Sequence, residues 1–143
     1  MVKPIPDEYP QVMPYLIVDG AASAIDFYGS VLGATERMRM QGPDGRIGHA
    51  ELQIGDSVIM LADENPEMGA RGPKAFGGSP ITVHVYVEDS DAAFKRAIED
   101  QFYGDRSGQF EDPFGHKWNV ATHVEDVPPE EMRERAAAAM ASA

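Results

Sequence analysis

The sequence predicts an α+β protein made of two like halves, each running β-α-β-β-β, and three observations carry that prediction. Residues 15–28, YLIVDGAASAIDFY, and 84–97, HVYVEDSDAAFKRA, share one pattern of apolar strand, acidic stop and small-residue helix at an offset of 69 residues. Each helix is followed by runs in which apolar and polar residues alternate, the period of a strand. Turns bearing Gly, Pro or Asp separate those runs. A repeat of this length in a chain of 143 residues implies two fused units, and a cleft between related units is the natural seat of a ligand.

In the first half, VMPYLIV at 12–18 reads as a strand, and Asp19 with Gly20 turns it into a helix from Ala21 to Leu32 that Gly33 stops. Ile25, Tyr28 and Leu32 recur at i, i+3 and i+7, while Phe27 and Val31 widen the apolar stripe enough to cover a sheet. Then come ATERMRMQ from Ala34, the GPDG turn at 42–45, the alternating strand IGHAELQI at 47–54, a Gly55 and Asp56 turn, and SVIMLA from Ser57. Module one therefore runs from about 10 to 63. The Gly- and Pro-rich stretch that follows, linker at about 64–80, has no period and serves as a connection or as a flap over the cleft.

Module two, about 81–124, opens with ITVHVYV at 81–87 and a helix from about Ser90 to Ile98 with Ala93, Phe94 and Ala97 inward. QFYGDRSG reads as a loop, followed by a strand near Gln109 and Phe110, a DPFG turn and a strand from Lys117 to Thr122. A C-terminal helix, about 128–141, has Pro and Glu at its front, where they suit the unpaired N–H groups. Its Ala-rich end reads as frayed or dimer-packed. The 143 residues suffice for one domain of two modules.

Twelve Lys and Arg against 24 Asp and Glu give a net charge of -12, which repels nucleic acid and anionic membranes. No apolar run approaches the roughly 20 residues of a membrane helix, and MVKPIPDEYP has no signal-peptide stretch, so a cytoplasmic protein is expected. The absence of Cys removes thiolate nucleophiles and sulfur-ligated metals. Neither a G-x-S-x-G elbow nor a phosphate-cradling P-loop is present.

IDFYGSVLGA at 25–34, GDSVIMLAD at 55–63, VYVEDSDAAF at 85–94 and EDPFGHKWNVATHVED at 111–126 resemble the vicinal oxygen chelate superfamily. That superfamily includes glyoxalase I, bleomycin and fosfomycin resistance proteins and extradiol dioxygenases. MLADE, GGSP, QFYGDRSG and DPFGHKW resemble its PhnB-like branch most closely. The resemblance implies paired β-α-β-β-β modules of sheet order 1-4-3-2, curled around a cavity and commonly assembled as a homodimer. In metal-dependent members the first and last strands of each module supply four ligands, and the matching positions are Met13, Met60, Thr82 and Asn119. None is His or Glu, and a thioether is a poor ligand for a hard divalent ion, so neither metal nor cofactor is expected there. Met13 and Met60 are 47 residues apart and Thr82 and Asn119 are 37 apart, so module two is 10 residues shorter. The deficit falls between Ile98 and Gln109, where an edge strand is expected to be missing.

Alternation assigns the candidate site. With Ala50, Leu52 and Ile54 packed, His49, Glu51 and Gln53 take the other face; with Val83, Val85 and Val87 packed, Thr82, His84 and Tyr86 do; with Trp118 and Val120 packed, Asn119 and Ala121 do. His84 is the catalytic candidate, because a neutral imidazole can exchange a proton near pH 7, and otherwise it is a hydrogen-bonded wall residue. His49 and Glu51 form a dyad, join His84 in a metal set, or make a solvated edge. Tyr15 and Tyr103 offer a ring and a hydroxyl, and Arg106 pairs with a ligand carboxylate or phosphonate, or with Asp105 or Glu111. Trp118 reads as core, Asp112, Gly115 and His116 as turn, and His123 as an exposed strand end. The function expected is binding of a small, partly apolar organic molecule in a metal-free cavity, possible His acid/base chemistry included; the alternatives are a metal-dependent lyase, isomerase or dioxygenase of the superfamily, and an interaction module without ligand.

Overall fold

Apolar residues at every second position build two four-stranded mixed sheets, each from one half of the chain. The computed structural model describes residues 1–93 and 99–143, apart from the side chains of Glu99 and Asp100. The first half gives β1 (Tyr15–Val18), α1 (Ala21–Leu32), β2 (Thr35–Gln41), β3 (Ile47–Ile54) and β4 (Ser57–Asp63). The second gives β5 (Thr82–Tyr86), α2 (Ser90–Ala93), β6 (Glu99–Asp100), β7 (Asp105–Glu111) and β8 (Lys117–His123), and α3 (Pro129–Ala141) closes the chain. The sheets are ordered β1-β4-β3-β2 and β5-β8-β7-β6, and in each the first pair is parallel while the others are antiparallel.

Two compact units result: Met1–Pro80 with Pro113–His116, and Ile81–Asp112 with Lys117–Ala143. The 64–80 stretch lies in the first, where it forms short 3-10 turns at Pro66–Met68 and Pro73–Phe76. Lys74 Nζ from that stretch bonds Asp19 Oδ2 at 2.9 Å.

In the first unit the stripe predicted on α1 is the buried one: Ile25, Tyr28 and Leu32 pack with Leu16 and Val18 of β1 and Leu52 and Leu61 of β3 and β4. Gly20 gives α1 no side-chain cap, and Asp63 at the end of β4 supplies one instead. Its Oδ1 accepts from Ala21 N at 2.7 Å and its Oδ2 from Ile47 N at 2.7 Å, satisfying a helix-end donor and a strand-start donor with one carboxylate. In the second unit Thr122 occupies the same place, its Oγ1 accepting from Ser90 N at 2.9 Å at the start of α2. The turn Pro113–His116 completes the first unit: Phe114 meets Phe27 and Tyr28 edge-on at 6.4 and 6.3 Å, and His116 Nε2 donates to Ile17 O at 2.9 Å.

The register shows the repeat directly. Tyr15 lies opposite Met60 and His84 opposite Asn119, so the first strands are offset by 69 residues and the last by 59. The missing ten residues shorten the edge of the second sheet without removing it: β6 keeps two residues, paired with Ser107 and Arg106, where β2 has seven. The expected loop QFYGDRSG is half strand, because Gly104 at φ +91° reverses the chain after a turn closed by its N–H on Gln101 O at 3.1 Å, and β7 begins at Asp105. β1 starts at Tyr15 rather than Val12, leaving Met13 before the strand. Ala121 takes the open face as expected, opposite Tyr86 and Ser107, and is fully buried there. The inward positions expected at Phe94 and Ala97 lie outside the described residues. Trp118 is fully buried and its Nε1 donates to Asp112 Oδ2 at 2.9 Å. Among the described residues no helix is long and apolar enough to cross a membrane.

Candidate functional site

On β3, packing of Ala50 and Leu52 against α1 turns His49 and Glu51 to the opposite face. Glu51 stands between Met60 of β4 and Met38 of β2, in the interior of the sheet, and is only 4% exposed. It is therefore not the solvated edge that one reading of the sequence allowed. A buried carboxylate needs partners. Tyr9 donates its hydroxyl to both oxygens at 3.1 and 3.0 Å, His49 Nε2 donates to Oε1 at 3.2 Å, and Arg37 Nε lies 4.0 Å from Oε2. The Arg37 guanidinium also covers the Tyr9 ring, 4.7 Å from its centroid. From the other side of the imidazole, His49 Nδ1 meets the Tyr15 hydroxyl at 2.9 Å. The hydrogen bond to Glu51, aided by burial, holds the Tyr9 phenol above its usual range, and burial does the same for Tyr15.

The sequence singled out Tyr15, His49, Glu51 and Met60, and the structure places them on one sheet face. It missed Tyr9 and Arg37. Tyr9 sits in an aperiodic segment ahead of β1 and Arg37 beside a register shift in β2, so neither carries a pattern that alternation can read. Met13 is half-buried just before β1.

In the second unit His84 and Asn119 are opposite one another, and the Asn119 amide donates to His84 Nδ1 at 2.7 Å. His84 meets the Tyr86 ring edge-on at 4.8 Å. The Tyr86 hydroxyl donates to Asp105 Oδ2 at 2.7 Å, His123 Nδ1 donates to Asp105 Oδ1 at 2.8 Å, and His123 Nε2 reaches Asp126 Oδ1 at 2.8 Å. Burial raises the Asp105 carboxyl, but the bonds from His123 and Tyr86 outweigh it and hold the group below its ordinary value. The bonds to Asp105 and Asp126 raise His123. His123 is thus exposed but tied on both nitrogens, a role hidden in the sequence because Asp105 lay in an expected loop. Thr82 is exposed two residues from His84, and Tyr103 is half-buried in the turn before Gly104. Arg106 takes the α2-side face, opposite Thr122, and its Nε pairs with Asp91 at 2.9 Å rather than with Asp105 or Glu111.

A cavity of about 330 Å³ opens in the first unit at the β2–β3 turn, and none of the residues singled out above lines it. Its polar groups serve the backbone: Asp63 binds two N–H groups, Glu64 Oε1 accepts from Gly72 N at 2.8 Å, and Arg46 bonds the Glu64 carbonyl.

Two β-α-β-β-β modules of strand order 1-4-3-2, with polar and aromatic side chains on the sheet face opposite the helix, define the paired-module class to which glyoxalases are assigned. The chain belongs to the Glyoxalase/Bleomycin resistance protein/Dioxygenase superfamily, whose sequence profile matches residues 9–120. It is 43% identical over 137 residues to Mb0911c of Mycobacterium bovis, covering 87% of this chain and 90% of that one. Identity to Rv0887c of Mycobacterium tuberculosis is the same, with 81% of that protein covered. TioX from Micromonospora sp. ML1 shares the fold at a TM-score of 0.62 and 24% identity, over 80% of this chain and 99% of TioX. A bleomycin-binding protein complexed with bleomycin does so at 0.54 and 20%, over 79% and 98%.

The metal of the superfamily's chelating members does not fit the residues at the matching positions. Met13 and Met60 offer thioethers, Thr82 a hydroxyl, and Asn119 an amide whose nitrogen is engaged by His84. Among the described residues no three His, Asp or Glu side chains are gathered as metal ligands.

Proposed function

We propose that this protein binds small, partly apolar organic molecules without a metal ion, each module taken by itself: on the sheet face that carries Tyr15, His49, Glu51 and Met60 in module one, and on the sheet face that carries Thr82, His84 and Asn119 in module two. The observation that carries the reading is the repeat-equivalent placing of Met60 opposite Tyr15 and of Asn119 opposite His84, which puts a thioether and an amide at two of the positions matched to metal ligands. Met60 supplies adaptable apolar contact. With the Asn119 amide donating to Nδ1, His84 presents Nε2–H and acts first as a hydrogen-bond donor to the ligand. Met13 completes the proposed contacts in module one and Tyr103 in module two, whereas Arg106 is turned to the α2 side and paired with Asp91, away from them. The likeness to a protein complexed with bleomycin supports a small-molecule role.

Assignment to the PhnB-like branch is part of the proposal, supported by the motifs and by the fold shared with the Bacillus cereus PhnB protein at a TM-score of 0.61 and 15% identity. So are a homodimer, a cytoplasmic location, and no nucleic-acid or membrane partner, the last from the net charge of -12.

A thermal-shift screen of divalent metals and small organic molecules tests the reading, since a ligand at 100 times its Kd adds about 2.7 kcal/mol. Stabilisation by an organic molecule in the presence of chelator is expected. One tightly held divalent ion per chain, lost on His84→Ala, overturns it in favour of metal-dependent lyase, isomerase or dioxygenase chemistry.

A further inference from the structure

We propose that Tyr15 is the proton-transferring hydroxyl of the first unit, relayed through His49 to Glu51, and that its ligand carries an acidic hydroxyl, a phenol or enol, on an apolar ring. This rests on the reading that the module-one sheet face takes a small organic molecule, and it names that molecule's class.

The direction of the relay follows from donor counting. An ionised carboxylate only accepts, so Glu51 takes the Nε2–H of His49 at 3.2 Å. A neutral imidazole then has its lone pair on Nδ1, which faces the Tyr15 hydroxyl at 2.9 Å. Tyr15 donates there and turns its own lone pairs outward. Burial grades along the chain: Glu51 is 4% exposed, His49 half-buried, and Tyr15 49% exposed. The charge therefore sits at the closed end and the free hydroxyl oxygen at the open end. Two charged or titratable groups face His49 directly, Tyr15 from β1 and Glu51 from β3, while Arg37 of β2 and Tyr9 stand behind Glu51. Around them β2 and β4 present thioethers: Met40 opposite His49, Met38 opposite Glu51, and Met60 between Glu51 and Tyr15. Met38 and Met40 are exposed. Polarisable sulfur beside a hydroxyl suits an aromatic or enolic ring better than a sugar or a simple acid.

The transfer balances. A ligand O–H proton passes to the Tyr15 oxygen as the tyrosine's own proton moves to His49 Nδ1, giving a ligand oxyanion and an imidazolium against Glu51. The reverse step returns both protons, and neither direction needs an oxidant or reductant.

The experiment mixes intact protein with 4-nitrophenol in buffer acidic enough to keep the free probe protonated. Wild type develops the phenolate absorption band on binding. Tyr15→Phe loses the band and binds on the order of tenfold more weakly, whereas His49→Gln loses the band with affinity within about threefold. Nitrobenzene, which lacks the hydroxyl, binds wild type and Tyr15→Phe alike. Imidazole nitrogen shifts of the unliganded wild type show neutral His49 protonated at Nε2. A band that survives Tyr15→Phe, binding of both probes with no band in wild type, or neutral His49 protonated at Nδ1 overturns the relay alone. If neither probe binds, the relay falls together with the reading on which it rests.

Discussion

Asp105 grips His123 through a 2.8 Å bond between Oδ1 and Nδ1, from a position only 3% exposed. His123, raised above 6.5 by Asp105 and then Asp126, contributes stability that is complete below its unfolded value and lost as pH climbs through the raised folded value. Asp105 is lowered below 3.8, because the bonds from His123 and Tyr86 outweigh the upward push of burial. Its contribution is complete above the unfolded value and lost as pH falls through the lowered one. Wild type should therefore lose more stability than His123→Gln when pH rises from about 6 to about 9, where imidazoles give up their proton. Urea midpoints at several pH values measure this, and equal slopes in the two proteins would count against the coupling.

Asp63→Ala strips one carboxylate from two backbone donors, Ala21 N and Ile47 N, both in fully buried residues. The expected loss is about 2–4 kcal/mol by chemical denaturation. Asp63→Asn, with one acceptor oxygen, should fall between that and wild type.

Gly104→Ala drives a Cβ into Glu125 O at a backbone φ of +91°. Val124 N and Glu125 N both bond to Gly104 O, at 3.0 and 2.9 Å, so the turn cannot move without releasing the segment after β8. At least about 2 kcal/mol should be lost. Limited proteolysis should then cut near α3 sooner than in wild type.

Glu51→Gln leaves Arg37 without its counter-charge and weakens the bonds from Tyr9 and His49. Destabilisation of about 1–3 kcal/mol is expected. A double-mutant cycle with Arg37→Met should give a coupling above about 0.5 kcal/mol, and additivity of the two changes would show that the pair does not interact.

The repeat made the fold legible. Two copies of strand, acidic stop and helix fix the module order, and period-2 alternation assigns His49, Glu51, His84 and Asn119 to open sheet faces. Alternation reports only the face, however, and stays silent on what reaches a residue from outside the pattern. Tyr9 approaches Glu51 from an aperiodic segment and Arg37 from beside a register shift, so the partners that make Glu51 tolerable when buried went unseen. Asp105 was lost for a different reason: QFYGDRSG has loop composition, and only the left-handed Gly104 shows where strand resumes.

The Pro113–His116 turn is encoded in the second repeat yet clusters with the first, bringing Phe114 to the α1 aromatics and His116 to a β1 carbonyl. A separated N-terminal half would fold around a hole where that phenyl ring belongs. Whatever duplication joined the copies, the first now depends on the second, and swapping it for a homologous copy would require the borrowed tetrapeptide to travel with it.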